Sequence, residues 1–208
     1  NSLWIDLRDN IIDNCFSGIE LRPWYKSYIT ILDNIINEVN YGIDIISADL
    51  DYEFIDDNQV TTNNIDYGAF GIRMSSLKFG SSIGNLFRGN EITMTGSSGF
   101  LHSGIFTTNL IESEIITNEV VVNTNVGSSL AFGILIGNAF HPFLFHNYVK
   151  GIQANNKRAF HLGFARKPKF CCNTAHSVVD AFSFYGNCDE TNFSTSIIGT
   201  SHVGAMSG

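Results

Sequence analysis

Proline is scarce in this chain, with three residues in 208, and that scarcity excludes a polyproline rod or a Pro-rich linker. Charge is scarce as well. Only 15% of residues are charged against 44% hydrophobic, which excludes a disordered tract and leaves enough apolar side chain for one domain with a sizeable core. No apolar run approaches the ~18 residues of a membrane-spanning helix. No stretch keeps apolar residues at i, i+3, i+4 and i+7 over about three turns, so helical repeats are excluded. Cysteine is limited to Cys15, Cys171, Cys172 and Cys188, without the CxxC spacing of a zinc site. Positive charge is short too. The formal net charge is −8, and such a surface repels nucleic acid phosphates. Acidic side chains crowd residues 1–70, where only Arg8, Arg22 and Lys26 oppose them, while Lys150, Lys157, Arg158, Arg166, Lys167 and Lys169 gather in residues 150–170.

What is abundant is repetition. Nineteen glycines and many Asn, Ser and Thr supply turns between short apolar segments. The string DNIIDNCFSGIEL at Asp9 returns as DNIINEVNYGIDI at Asp33. Its core, apolar-x-x-Asn-x-apolar, recurs with Asn10, Asn34, Asn58, Asn90, Asn118, Asn147 and Asn173 as anchors, and a degenerate copy carries Ser196. The anchors lie 24 to 32 residues apart. A second unit, Gly-apolar-x-apolar, follows at Gly18, Gly42, Gly71 and Gly133, with a weaker copy at Gly104. Alternation over so few residues marks half-buried strands. Short strands repeating at this period predict an all-β parallel β-helix: one solenoid domain over residues 1–208, of about eight coils, with equivalent positions stacked along one axis. The Asn column is read as a structural ladder, each Asn turning a corner in the left-handed backbone region and hydrogen-bonding to its neighbours. The chain opens at Asn1 with neither an initiator Met nor a leader, and is read as a segment of a longer protein.

The pattern I-x-x-N-x-I followed by G-I-x-I resembles the right-handed parallel β-helix repeats of the pectin-lyase-like superfamily across nearly the whole chain. The segment FCCNTAHSVVDAFSFYGNCDETNFSTSIIGTSHVG is similar to repeats in large secreted proteins of Bacteroidetes, with Ser196 standing where those repeats carry Asn. The resemblance implies a secreted or cell-surface location. It implies no activity.

Within a stacked geometry, the third positions of the Gly-apolar-x-apolar units form one outward column: Glu20, Asp44, Arg73, Phe106 and Leu135. Glu20, Asp44 and Arg73 are candidate catalytic residues for acid–base work on a glycan, with Phe106 and Leu135 as a binding platform. The competing reading is an exposed ion-pair ladder. Asp49, Asp51 and Glu53 alternate, so an extended backbone puts three carboxylates on one face, a candidate Ca²⁺ site. No other cofactor is expected. Cys171 or Cys172 with Cys188 is a candidate disulfide, and four reduced thiols are the alternative. The six histidines, His102, His141, His146, His161, His176 and His202, form no metal-type pair and are read as turn residues.

Two functions follow. One is a non-enzymatic extracellular rod, structural or adhesive, partnered by other extracellular segments, by itself or by a polysaccharide. The acidic early coils and basic late coils favour head-to-tail contact. The alternative is a polysaccharide lyase or glycoside hydrolase.

Overall fold

The computed structural model describes residues 2–24, 26–47, 49–62, 69–77, 83–96, 101–124, 130–151, 157–194 and 197–198. Ser196 and His202 lie outside them. The chain forms the expected all-β parallel solenoid. Three sheets run along it, and every strand pairs with the equivalent strand one winding before or after. The first sheet stacks Leu3–Arg8, Ser27–Leu32, Phe54–Asp56, Leu86–Arg88, Glu114–Ile116, Phe143–Phe145, Lys169–Cys171 and Asn192–Ser194. The second stacks Ile11–Asp13, Ile35–Val39, Gln59–Thr62, Glu91–Gly96, Glu119–Thr124, Tyr148–Gly151, Thr174–His176 and Ile197–Ile198. The third stacks Ser17–Leu21, Tyr41–Ser47, Ala69–Ser76, Leu101–Thr108, Leu130–Gly137, Lys157–Gly163 and Asp180–Tyr185.

The repeated apolar positions become columns. Ile31, Ile55, Phe87, Ile115, Leu144 and Phe170 stack in register in the first sheet, and Ile36, Val60, Ile92, Val120 and Val149 in the second. All of these are buried. Each such side chain contributes ~1.5–3 kcal/mol by leaving water, which is why the pattern selects one register.

The Asn column lies between the first and second sheets. Both the backbone N–H and the Nδ2 of each Asn donate to Oδ1 of the next: Asn34 to Asn58 at 3.1 and 2.9 Å, Asn118 to Asn147 at 3.1 and 2.9 Å, Asn147 to Asn173 at 3.0 and 2.9 Å. Nδ2 also satisfies carbonyls of the corner, as Asn118 does with Phe87 and Ile116. The corner conformation differs from the sequence expectation. The anchor Asn is not the left-handed residue; the residue before it is. Asp9, Asp33, Asp57, Gly89, Thr117, His146 and Cys172 have φ of 49 to 62°. That turn aims the following Asn inward, where its amide replaces the hydrogen bonds the bent backbone loses.

The glycine of Gly-apolar-x-apolar has a steric cause. A Cβ on Gly104 would lie 2.3 Å from Val120 Cγ1 and 2.7 Å from the Gly133 carbonyl oxygen. The position faces the second sheet and the next coil at once. In the sixth winding Ala159 takes this place, aligned with Gly133, and Ala175 stands where Val149 stood. The added methyl is matched by a trimmed neighbour. Larger rings fill the late core, with Phe160 5.1 Å from Phe182 and Phe170 5.3 Å from Phe182.

Candidate functional site

The register places Glu20, Asp44, Arg73, Phe106 and Leu135 side by side across five consecutive strands of the third sheet, followed by His161 and Ser183. Asp44 is buried, although it points to the outer face. Two arginines cover it. Arg73 Nε donates to Oδ1 and Nη2 to Oδ2, both at 2.5 Å. Arg22 bonds Oδ2 as well, and its Nη1 donates to the Asp44 carbonyl at 3.0 Å. Glu20 completes the chain 3.1 Å from Arg22. The Arg73 guanidinium also lies over the rings of Tyr41 and Phe70, 4.9 and 5.1 Å from their centroids. Its bonds to Asp44 raise its pKa from the ordinary value. Both oxygens of Asp44 are therefore engaged, and the cluster is built as an ionic staple between windings. Arg22 lies just past the end of its strand, outside the repeating unit, which is why the repeat does not reveal it. Phe106 is half-buried and packs against Phe70, with centroids 5.4 Å apart.

Farther along this column the Ser183 hydroxyl is 2.7 Å from His161 Nδ1. The neighbouring carboxylate, Asp180, is held by Arg158 at 3.0 Å. Burial, then the Arg158 charge, lowers the His161 pKa. Among the described residues no carboxylate bonds this imidazole as a nucleophile triad would require.

The expected extended stretch is broken between Asp51 and Glu53, because Tyr52 is left-handed with φ of 59°, and the two carboxyl groups find separate partners. Asp51 accepts from Lys26 Nζ at 2.7 Å and from the Ile83 N–H at 3.2 Å. Glu53 is fully buried; it accepts from the Ile29 N–H, and its own N–H donates to Asn85 Oδ1 at 2.8 Å. Asn85 N–H then meets Ser113 Oγ at 3.3 Å, so Glu53 is a rung of a second, shorter polar ladder. Asp49 contributes its carbonyl, which accepts from Ser47 Oγ at 3.4 Å. Among the described residues no group of three His, Cys, Asp or Glu side chains is placed to hold a metal ion.

Cys171 and Cys172 are not joined to Cys188. All four cysteines are free thiols. Cys188 Sγ lies 3.6 Å from the Leu162 carbonyl oxygen, while Cys171 and Cys172 bring their sulfurs to 2.9 Å of each other.

A recess that the sequence reading does not single out lies on the outer face of the first sheet. It has a volume of about 340 Å³ and is lined by Glu112, Glu114, His141, Phe143 and Lys169. Glu114, Phe143 and Lys169 are aligned rungs of successive windings. His141 stacks on Phe140 at 4.3 Å, and Phe143 on Phe145 at 5.6 Å. An aromatic row thus separates two carboxylates on one side from a lysine on the other. Each residue immediately before the first apolar position of the Asn unit points outward, and these read Glu114, Phe143 and Lys169, three residue types that no repeat pattern links without the register.

The fold and these surfaces define a parallel β-solenoid. No family model, no curated protein and no solved structure matches the chain.

Proposed function

We propose that this chain is an extracellular solenoid rod, a structural and adhesive segment of a secreted or cell-surface protein, whose first-sheet recess holds a polysaccharide. The observation that carries this reading is the recess itself. Phe143 offers a sugar ring an apolar face, while Glu112 and Glu114 accept from its hydroxyls and His141 and Lys169 donate to it. Glu114, Phe143 and Lys169 come from three successive windings, so the recess runs along the rod, which suits a polymer. The stapled Asp44 cluster supports the non-enzymatic side of the reading, because a carboxylate bonded by two arginines is not free for proton transfer.

Affinity electrophoresis against a panel of neutral and acidic polysaccharides tests it. Phe143→Ala should weaken retardation at least tenfold with the strand signature in circular dichroism intact. Asp44→Asn should leave retardation unchanged and lower stability by about 2 kcal/mol, less than for a fully buried pair because Arg22 and Arg73 keep part of their surface in water. No retardation by any member of the panel, or full retardation of Phe143→Ala, overturns the reading.

One observation favours the enzymatic alternative. Glu112 and Glu114 share the recess, and a carboxylate pair is what glycoside hydrolysis uses. New reducing ends or unsaturated products, lost in Glu114→Gln, would establish it.

A further inference from the structure

Cys171 closes a strand of the first sheet, and Cys172 occupies the left-handed corner that follows, with φ of 59°. Asp, Gly, Thr or His fills that corner in the other windings, so a cysteine is not what the turn requires. The backbone around the pair is pinned on both sides. The Cys172 N–H donates to the Ser194 carbonyl at 3.2 Å, and the Cys171 carbonyl accepts from the His146 N–H at 3.1 Å. Asn173, the next residue, is locked in the ladder by both donors of Asn147. Two half-exposed thiols are thereby held 2.9 Å apart on the outside of the rod, close to the ~2.05 Å of a sulfur–sulfur bond.

We propose that Cys171 and Cys172 are a vicinal dithiol site that closes reversibly to a disulfide by exchange with a small-molecule disulfide. Cys171 is the attacking sulfur. The hydrogen bond from Cys172, and then one from Ser194, stabilise its thiolate and lower its pKa, while the same contact raises that of Cys172. The Cys171 thiolate attacks one sulfur of RS–SR, forming a mixed disulfide and expelling one RS⁻. The Cys172 thiolate then attacks the Cys171 sulfur and expels the second RS⁻. Two electrons pass from the protein to the small disulfide, and the two thiol protons end on two RSH. Adjacent Cα atoms are only ~3.8 Å apart, below the usual disulfide span, so the closed ring is reducible and the site is a reversible one.

The test treats the folded protein with glutathione disulfide, blocks the remaining thiols by alkylation, and maps the peptides by mass spectrometry. The peptide holding Cys171 and Cys172 should be unalkylated and lighter by two hydrogens, and dithiothreitol should restore both alkylation sites. The C15S/C188S double variant should behave identically. C172S should stop at the glutathione adduct on Cys171. A bond from either residue to Cys188, or full alkylation of both cysteines after oxidation, overturns the proposal. These readouts need no glycan, so they are independent of the recess.

Discussion

Glu53 is the residue whose burial has the largest electrostatic consequence. It is wholly inside, and its Oε1 has no hydrogen-bond partner among the described residues. Burial raises its pKa from 4.5 to about 8, opposed by the Ile29 N–H and reinforced by Asp51 and Asp49. The folded chain keeps a proton there that the unfolded chain releases. Its contribution to stability is therefore complete below the ordinary carboxyl range and is lost as pH rises toward about 8. Within that window the slope is about 1.4 kcal/mol per pH unit. Glu53→Gln removes the titrating proton and retains the shape. Urea midpoints measured at about pH 5 and about pH 8 should converge in the variant and diverge in the parent. Parallel shifts in both proteins would show that Glu53 titrates as if exposed. The spacing of Asp49, Asp51 and Glu53 was legible in the sequence, but the left-handed corner at Tyr52, which comes just before the buried Glu53, was not. That turn pairs Glu53 with Asn85 and Asn85 with Ser113, each five residues before Asn58, Asn90 and Asn118; the spacing matches that of the Asn anchors, but Glu, Asn and Ser share no one residue type to mark it.

At the scale of the element, the unit is one rung of the Asn ladder with its corner. Asn118 receives two hydrogen bonds from Asn90 at 3.1 and 2.9 Å, and gives Nδ2 to Asn147, Phe87 and Ile116. Asn118→Ala strands the Asn90 N–H and two corner carbonyls in a dry interior. Each unsatisfied buried group costs ~1–3 kcal/mol, so the loss should exceed about 3 kcal/mol. Asn10 is exposed and anchors the ladder from the first winding, donating to Asn34. Asn10→Ala should cost less than about 1 kcal/mol in the same urea titration. Equal losses would mean that the amides act by local turn propensity and not as a ladder. The recurrence of Asn was visible from spacing alone, since a buried amide tolerates no substitute that both donates and accepts in that shape. The corner before it was misread for a physical reason. Asp, Thr, His and Cys share no side-chain chemistry, and only a backbone angle unites them. The first-sheet recess was hidden in the same way: outward positions obey no single preference, so Glu114, Phe143 and Lys169 do not look like a column until the register is known.

At the scale of the molecule, among the described residues strand pairing runs only between adjacent windings, and stability is close to a sum over neighbours. The rungs are unequal. Leu3–Arg8 alternates exposed and half-buried residues, while Ser27–Leu32, one winding on, alternates half-buried and buried ones. Asn192–Ser194 is exposed throughout. The middle windings carry Phe87, Ile92, Ile115, Val120, Leu144 and Val149, all at most 1% exposed. Amide hydrogen exchange should therefore follow a gradient, slowest at Ile92, Val120 and Val149 and faster by orders of magnitude toward Leu3–Arg8 and Asn192–Ser194. Asn118→Ala should accelerate exchange in the windings that hold Asn90 and Asn147 before it reaches Leu3–Arg8, because an opened rung removes the partner of its neighbours first. Charge is unevenly spread along this same axis, acid-rich in the early windings and base-rich over residues 150–170, so any association between rods that this charge drives should fade as salt screens it. A single exchange rate shared by all rungs, unchanged in its uniformity by Asn118→Ala, would show one all-or-none unit and remove the nearest-neighbour account of the rod.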